Sequence, residues 1–439
     1  MSLEPTGPRG ADIPRVLIVA DHASARFGGE AALPLHYFRV LRARGAPVWL
    51  ISHARTRDEL TQLYGNDPRI RYVEDAWLHK AMWQIGRRLP AGVAYLTTGF
   101  VTRFSSQLEQ RRLVRRLVAE ERIDVVHQPM PVSPREPSLL HGFGVPVVIG
   151  PMNGGMEWPP AFRPASGRAG RAVLKVARAT SRLLNRLIPG KRRAALLLVA
   201  NKRTWQALPL DGTVPVEEMV ENGVDFNVWK GQREQPQAET PTSVTTFAFM
   251  GRIVDWKAVD LLIRAFSKAR DRQPIRLVII GDGVERPRLE QLAAQLGVAG
   301  IKTGGARSAA AGTIDWLGWL PQAECALELR RADGLVLPSL LECGGAVVLE
   351  AMAMAKPVIA TAWGGPLDYL DDDCGVLVAP TGPDALVAGL ADAMVRLAQF
   401  PDERLRMGRN GLEKARRLYD WDVKVDRMID RYRQVMKAA

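Results

Sequence analysis

Short apolar runs rich in β-branched residues alternate with longer, helix-patterned segments along almost the whole chain. These runs have the length and composition of buried parallel strands. They span residues 16–20, 48–52, 124–127, 147–149, 196–200, 247–250, 277–280, 335–338, 358–361 and 376–378. Alternation of strand and helix predicts an α/β protein with two doubly wound, Rossmann-like domains.

Three segments depart from this alternation. Residues 230–243 are rich in Gln, Glu, Pro and Thr and predict a linker, whereas the Gly-rich residues 300–312 predict a surface loop. Apolar residues at helical spacing over residues 418–436 predict a final helix. We therefore predict an N-terminal domain over residues 12–225 completed by a helix at about 418–437, a linker over 226–243 and a C-terminal domain over 244–417.

The composition excludes several classes of protein. Apolar residues make up 47% of the 439 residues, which excludes disordered and collagen-like chains. The three cysteines, Cys325, Cys343 and Cys374, are an odd number in the second half and predict a reducing compartment without structural disulfides. No apolar run approaches the roughly 20 residues of a membrane span, and the first residues lack a signal-peptide pattern. We expect a cytoplasmic protein, soluble or peripheral on the cytoplasmic face of the membrane.

The positive charge is concentrated in one region. Residues 158–210 hold twelve Lys or Arg and no Asp or Glu, against a net charge of +13 for the chain. This basic segment, residues 163–203, begins at Arg163 and ends at Arg203. Within it, cations three or four apart form a helical stripe of Arg168, Arg171, Lys175, Arg178, Arg182 and Arg186. Such a stripe either binds an anionic membrane or is the solvated face of a core helix, and both interpretations stay open. Nucleic acid is not expected, because no reading module or aromatic interleaving accompanies the charge.

The richest candidate chemistry follows a strand of the second domain, in residues 335–366. Glu342 lies in the loop after the strand, and Gly344 and Gly345 precede a helix that carries Glu350. Free N–H groups at a helix N-terminus favour an anion, and glycines let a phosphate approach the main chain. The pattern therefore predicts a phosphate site with two carboxylates beside it.

Two further elements have the same character. Arg252 and Lys257 follow the first strand of the second domain, and two adjacent cations suit two adjacent phosphates. Gly28 and Gly29 follow the first strand of the first domain and precede a helix. In contrast, the segment Gly281-Asp282-Gly283 lacks the third glycine of a dinucleotide fingerprint, so we interpret it as a strand-end turn.

These residues resemble the retaining nucleotide-sugar glycosyltransferases of family four, also called group 1, which have the GT-B fold. The resemblance is strongest over residues 247–380, with Glu342-x7-Glu350, the Arg252 and Lys257 pair and the run EAMA-x-x-K-P-V-I-A-T. It extends more loosely to Gly28-Gly29, to residues 124–127 and 221–225, and to a helix with Trp421. It implies two Rossmann-like domains facing across a cleft, with the C-terminal helix crossing back to the first domain.

The resemblance also implies roles for individual residues. Arg252 and Lys257 hold the donor diphosphate, Glu342 binds sugar hydroxyls and Glu350 binds the ribose. The catalytic residues implied are Glu342, Lys257, Arg252 and His127. The donor-binding residues implied are Gly28, Gly29, Cys343, Gly344, Gly345 and Glu350. His127 matches a family histidine near the donor sugar, although an ordinary strand-end histidine is the alternative.

The acceptor is expected in the first domain. The segment Asn153, Gly154, Gly155 and Glu157 follows a predicted strand and is our candidate acceptor loop, with a structural turn as the equal alternative. The acceptor implied is a sugar or a lipid-linked intermediate.

The function implied is transfer of a sugar from a nucleoside-diphosphate sugar with retention of anomeric configuration, as a hexosyltransferase in polysaccharide or glycolipid assembly. We expect no cofactor and no divalent ion, because Arg252, Lys257 and the helix N-terminus after Gly345 would stabilise the leaving phosphate. A zinc site is not expected, because all six histidines precede Gly142 without metal-ligand spacing. The alternatives are another GT-B reaction, by an epimerase or a phosphorylase, and a non-catalytic protein that binds sugar nucleotides or a membrane. Those other reactions need catalytic groups that the sequence does not show. The sequence does not name the sugar, the base or the oligomeric state.

Overall fold

The computed structural model describes residues 13–75, 77–88, 97–163, 179–210, 212, 214–230, 244–302 and 310–438. The chain divides into two compact units. The N-terminal unit comprises Met1–Gly155, Gly167–Glu221 and Trp421–Ala439. The C-terminal unit comprises Met156–Ser166 and Asn222–Asp420. Of the predicted linker, residues 231–243 lie outside the described residues.

The N-terminal unit is built on a parallel sheet of seven strands in the order β3-β2-β1-β4-β5-β6-β7. The strands are β1 (Val16–Val19), β2 (Val48–His53), β3 (Ile70–Val73), β4 (Val125–Gln128), β5 (Val147–Met152), β6 (Leu196–Val199) and β7 (Val216–Glu218). Side chains alternate between faces, so Val16 and Ile18 enter one hydrophobic core while Leu17 and Val19 enter the other. Both faces are buried, which explains the uninterrupted apolar runs of the sequence.

Helices cover both faces of this sheet, as a doubly wound fold requires. They are Gly29–Ala43, Arg57–Tyr64, Trp77–Gly86, Thr98–Glu120, Lys202–Ala207 and Trp421–Ala438. A further helical segment spans residues 179–187.

The final helix, Trp421–Ala438, packs against Gly29–Ala43 in the core of the N-terminal unit. Trp421 stacks on His36 with ring centroids 4.7 Å apart. The helix begins at Trp421, and not at the predicted residue 418, because Leu418 ends the preceding helix Pro401–Leu418. The predicted return of the C-terminal helix to the first domain is confirmed.

The C-terminal unit has a second parallel sheet of seven strands, in the order β10-β11-β9-β8-β12-β13-β14. Its strands are β8 (Thr245–Met250), β9 (Ile275–Ile280), β10 (Ala299–Lys302), β11 (Ile314–Gly318), β12 (Gly334–Leu337), β13 (Val358–Thr361) and β14 (Gly375–Val378). Its helices are Val259–Arg270, Arg286–Gln295, Gln322–Arg331, Ala346–Ala353, Pro366–Tyr369, Pro383–Gln399 and Pro401–Leu418.

Two parallel sheets with helices confirm the predicted α/β fold class. The sequence missed β3, β7, β10 and β11, which lie at or next to the sheet edges. These strands carry polar residues such as Arg71, Glu217 and Asp315, so they lack the apolar runs that marked the central strands. No helix in the described ranges is both long and apolar enough to cross a membrane.

Candidate active site

The loop after β8 is held against the loop after β9 by contact between main chains. Ile253 N donates to Asp282 O at 2.9 Å. A Cβ atom at Gly281 would lie 2.0 Å from Gly251 O, and one at Gly283 would lie 2.1 Å from Ile253 O. The two glycines are therefore needed for this close approach, and the predicted strand-end turn fixes the loop that carries Arg252 and Lys257.

The loop after β12 joins the same arrangement. Leu340 N donates to Trp256 O at 2.8 Å, which ties it to the short 3₁₀ turn Asp255–Lys257. Lys257 Nζ then forms an ion pair with the carboxylate of Glu342. Their side chains are 15% and 12% exposed, so the pair is largely shielded from water. The structure thus joins two of the predicted site residues directly.

Gly345 turns the chain into the helix Ala346–Ala353. Its φ of 80° is left-handed, and a Cβ there would lie 3.0 Å from Glu342 Cγ. Among the described residues no side chain caps this helix, so its N-terminus is available to an anion. Gly365, in the loop after β13, donates its N–H to Glu342 O at 2.8 Å, and a Cβ on it would meet Gly344 O at 2.1 Å. Three loops therefore pack around Glu342.

Two other predicted residues lie exposed on these loops. The Arg252 guanidinium carbon is 6.0 Å from the ring centroid of Trp256, and the Arg252 side chain is exposed. Cys343 is exposed as well. Arg252 therefore adds positive charge that an arriving anion can reach without displacing a buried group.

Glu350 has an unusual environment. Within the described part of the chain, its carboxylate has no hydrogen-bond or ion-pair partner. Burial raises the pKa of Glu350 to about 8, because the charged form loses hydration. A carboxyl group in this state is a ready partner for hydroxyl groups of a ligand.

Gly28 and Gly29 lie exposed at the start of the helix Gly29–Ala43. Gly28 has φ 96°, which favours glycine. Gly29 has no such backbone demand, and a Cβ on it would meet no described atom within 4 Å. The protein itself therefore gives no reason for glycine at position 29, which is consistent with a ligand approaching the main chain there.

His127 lies in the core of the N-terminal unit and is fully buried. Its Nε2 is 2.7 Å from Gly150 O, and its Nδ1 is 2.8 Å from the Tyr432 hydroxyl. Because a carbonyl oxygen only accepts, Nε2 donates and Nδ1 accepts from the tyrosine. Burial lowers the pKa of His127 to about 4, so the ring is neutral. Because both nitrogens are occupied, the structure favours the alternative of a strand-end histidine over the catalytic role.

The candidate acceptor loop is also structural over most of its length. Asn153 is 4% exposed, and its Oδ1 accepts from Thr204 Oγ1 at 3.3 Å. A Cβ on Gly154 would lie 2.6 Å from Pro134 Cδ, and Gly155 has φ 72° with Ala207 close by. The glycines and Asn153 therefore shape a packed turn, which corrects their assignment as acceptor contacts.

Glu157 lies in the C-terminal unit, and not in the first domain as predicted. Its carbonyl oxygen accepts from Trp363 Nε1 at 2.8 Å, and its half-exposed carboxylate pairs with Arg163 at 3.4 Å. The bond from Trp363 ties Glu157 to the loop after β13.

Comparison with known proteins identifies the C-terminal unit. Residues 231–414 match the family described as glycosyl transferases group 1. This region is a group 1 glycosyltransferase domain. The resemblance noted in the sequence is confirmed, and the match contains Arg252, Lys257, Glu342 and Glu350.

Relatives of the group 1 domain agree with this. A D-inositol 3-phosphate glycosyltransferase of Saccharomonospora viridis is 32% identical over 235 residues, which are 50% of this chain and 50% of that protein. One from Kribbella flavida is 32% identical over 254 residues, 54% and 56% of the two chains. The chain thus spans about half the length of these curated relatives.

A solved structure covers nearly the whole chain. Anabaena HepE, crystallised in complex with UDP, has a TM-score of 0.62 at 15% identity and covers 96% of this chain and 99% of its own. This likeness shows the shared fold and confirms the predicted GT-B class.

Sequence reasoning missed two exposed apolar residues of the group 1 domain. Trp319, after β11, is 75% exposed, and Val284, after β9, is 84% exposed. Gly281 N donates to Gly318 O at 2.7 Å, so the two loops start side by side. Their position at the carboxyl ends of neighbouring strands could have indicated them, because ligands of such sheets bind there.

The basic segment is described only in part. Arg168, Arg171, Lys175 and Arg178 lie outside the described residues. In the helical residues 179–187, Asn185 is buried and its Nδ2 donates to Arg135 O at 2.9 Å.

The opposite surface of this helical segment faces solvent. Leu183 and Leu187 are 56% and 70% exposed, and they lie beside the exposed Arg182 and Arg186. Leu183 and Leu187 are therefore at the surface.

Proposed function

We propose that the protein is a glycosyltransferase that moves a sugar from a nucleoside diphosphate to an acceptor with retention of anomeric configuration. The observation that carries this proposal is the shielded Lys257–Glu342 pair, held by three loops beside an uncapped helix N-terminus. It combines cations and N–H groups for a diphosphate with a carboxylate for hydroxyl groups, as a sugar nucleotide requires.

The chemistry follows from where charge develops. The bond between the anomeric carbon and the phosphate oxygen breaks, and its electron pair leaves with the diphosphate. Arg252, Lys257 and the N–H groups after Gly345 would stabilise that negative charge. The acceptor hydroxyl oxygen bonds to the anomeric carbon from the same side, and its proton passes to the leaving phosphate oxygen.

Glu342 and Glu350 would position the donor. Lys257 orients the Glu342 carboxylate, which would accept hydrogen bonds from sugar hydroxyls. Glu350 would accept from the ribose hydroxyls, which would supply the partners that its carboxylate lacks in the described chain. We keep Gly28, Gly29 and Cys343 as donor contacts.

The positive groups named above would carry the leaving-group charge, so we propose that transfer needs no divalent ion. UDP is the first nucleotide to test, because HepE, which has the same fold, was crystallised with UDP. Trp319 would stack on the base, since its exposed ring offers a flat apolar surface.

We propose further that the N-terminal unit contacts an anionic membrane, which would suit a lipid-linked acceptor in polysaccharide or glycolipid assembly at the cytoplasmic face. Exposed Leu183 and Leu187 could enter the interface while Arg182 and Arg186 meet lipid phosphates. A solvated helix face would not need the two exposed leucines.

A thermal-shift screen tests the nucleotide assignment. A ligand at about 100 times its dissociation constant stabilises the native state by roughly 2.7 kcal/mol. We expect UDP and one UDP-sugar to raise the melting temperature of the wild type more than GDP or ADP, and Trp319→Ala to reduce that rise. Absence of any shift with all three nucleotides would overturn the proposal.

The reaction itself is tested with the sugar donor that binds. NMR of the product anomeric proton would report retention, and the rate should persist in EDTA. An inverted product would exclude the same-side mechanism, and a rate lost in EDTA and restored by a divalent ion would exclude metal independence.

A further inference from the structure

The loop after β1 displays two side chains that the donor site does not use. Phe27 is 53% exposed, and its ring lies edge-on to the partly exposed ring of His22, with centroids 5.5 Å apart and an interplanar angle of 87°. Within the described residues, neither ring nitrogen of His22 has a hydrogen-bond partner. An aromatic surface and an unpaired imidazole therefore stand side by side at the carboxyl edge of the sheet.

The loop that carries His22 and Phe27 is fixed by hydrogen bonds on its inner side. Ala23 N donates to Ser52 Oγ at 3.1 Å, and Ala25 N donates to Glu59 Oε1 at 2.8 Å. Ser24 is buried, and its hydroxyl donates to the other oxygen of Glu59. The inner side of the loop is thus fully engaged, and His22 and Phe27 are presented outward by a rigid scaffold.

The groups around His22 leave it neutral. His53, with its ring 6.3 Å away, accepts from Arg55 N at Nδ1 and has its Nε2 3.5 Å from Asp75. Arg55 also pairs with Asp75 at 3.0 Å, so that carboxylate is already compensated. Burial, and then the charge of Arg55, lower the pKa of His22. A neutral imidazole offers one N–H donor and one acceptor nitrogen.

Two other histidines of this unit differ from His22. His127 uses both nitrogens in internal contacts, and the Nδ1 of His53 is likewise engaged. His141 Nδ1 is buried and has no hydrogen-bond partner among the described residues, so an unpaired nitrogen does not by itself mark a ligand site. His22 differs from His141 because its ring lies beside the exposed Phe27.

This combination fits a carbohydrate ring. One face of a pyranose carries C–H groups that pack on an aromatic ring, and each hydroxyl both donates and accepts. A neutral imidazole can donate a hydrogen bond to a hydroxyl or accept one from it, but it has no positive charge to attract a phosphate. We propose that His22 and Phe27 form the subsite for the acceptor's sugar ring. This inference rests on the proposed glycosyltransferase function.

Histidine NMR tests it directly. The chain has six histidines, so Cε1-labelled protein gives few signals, and His22→Gln identifies the signal of His22 by its loss. We expect methyl α-D-glucopyranoside or methyl α-D-mannopyranoside, with UDP present, to move this signal, and inorganic phosphate to leave it unmoved. Phe27→Ala should weaken the response by about five-fold in apparent dissociation constant, and Phe27→Tyr should retain it.

A matched control is His141→Gln, which removes another partly exposed histidine of the same unit and should leave the His22 response intact. If UDP shifts the melting temperature but neither glycoside moves the His22 signal, the acceptor subsite is wrong and the donor assignment stands. A response to phosphate alone would also overturn it. If no nucleotide binds, the proposed function itself fails.

Discussion

The loops at the carboxyl ends of the two sheets differ in how they are held. In the C-terminal unit, three loops pack main chain against main chain, and the close approach at Gly281, Gly283 and Gly365 leaves no room for a Cβ. In the N-terminal unit, a Cβ on Gly29 would meet no described atom within 4 Å. The loop with His22 is tied by side chains such as Glu59 and Ser52.

This difference explains why one unit was easier to interpret from sequence than the other. Backbone packing demands glycine at fixed positions, so it leaves a short, recognisable motif. Side-chain anchoring can be achieved by many residue pairs, so it leaves none. The donor motif was therefore visible in the sequence, whereas the loop with His22 was not.

The largest expected effect comes from Lys257→Ala. The change removes a cation from the proposed diphosphate site and leaves the shielded Glu342 unpaired. We expect sugar transfer to fall about 100- to 1,000-fold, as for loss of a transition-state donor. The measurement is the initial rate of transfer, with circular dichroism to show that the fold persists.

The control for this variant is Lys268→Ala, an exposed lysine of the neighbouring helix Val259–Arg270. Its rate should match the wild type. An unaffected rate in Lys257→Ala would show that the assignment of the donor site to the C-terminal unit is wrong.

The second prediction concerns Glu350 and pH. Its pKa is about 8 in the folded chain against 4.5 in the reference state, so the unfolded chain releases this proton first as pH rises. The wild type should therefore lose stability relative to Glu350→Gln from about pH 4.5 to about pH 8, with roughly 2–3 kcal/mol of that loss between about pH 6 and pH 8 and little further loss above. Urea unfolding of both proteins at several pH values measures this difference.

Proton release on UDP binding is a second test of the role of Glu350. If ribose hydroxyls pair with the carboxylate, binding favours its ionised form, and UDP should release a proton at neutral pH in the wild type but not in Glu350→Gln. Equal proton release from both proteins would show that Glu350 does not pair with the nucleotide.

The third prediction compares glycines from the two units. Gly345→Ala forces a φ of 80° on alanine and a contact with Glu342, so it should lower the free energy of unfolding by about 1–2 kcal/mol. Gly29→Ala should leave stability unchanged or raise it by up to about 1 kcal/mol. Thermal unfolding distinguishes them.

Both glycine variants should nonetheless weaken nucleotide-sugar binding, if phosphates approach both backbones. Calorimetric titration with the donor checks this. Full binding by Gly29→Ala would show that only the glycine loop of the C-terminal unit meets the donor.

The smallest expected effect is at the surface of the N-terminal unit. Changing Leu183 and Leu187 to Ser should weaken binding to vesicles rich in phosphatidylglycerol by about five-fold, without loss of nucleotide binding. The control is Leu405→Ser, which changes a leucine that is 55% exposed in the C-terminal unit. Co-sedimentation gives the bound fraction.

Salt separates the two contributions to vesicle binding. Changing Arg182 and Arg186 to Gln should reduce binding most at low ionic strength, because screening already weakens the cations at high salt. Equal binding by the leucine variants and Leu405→Ser would favour the alternative of a solvated helix.

Several parts of the fold could be predicted because they depend on local pattern. The central strands β1, β8 and β9 are apolar on both faces, and the sequence located each of them within a few residues. The edge strands β3 and β10 are mixed in polarity, so no local pattern marked them.

The sequence by itself determined the two α/β sheets, the final helix and the motif of Arg252, Lys257, Glu342 and Glu350. These depend on periodicity and on short-range backbone demands, which are properties of neighbouring residues.

Only the tertiary structure decided which side chains contact each other. Lys257 meets Glu342 across 85 residues, and His127 meets Tyr432 across 305. Whether a polar side chain is occupied or open to a ligand depends on such distant groups, and only packing brings them together. This is why the sequence chose His127 as a functional histidine, whereas the structure points to His22.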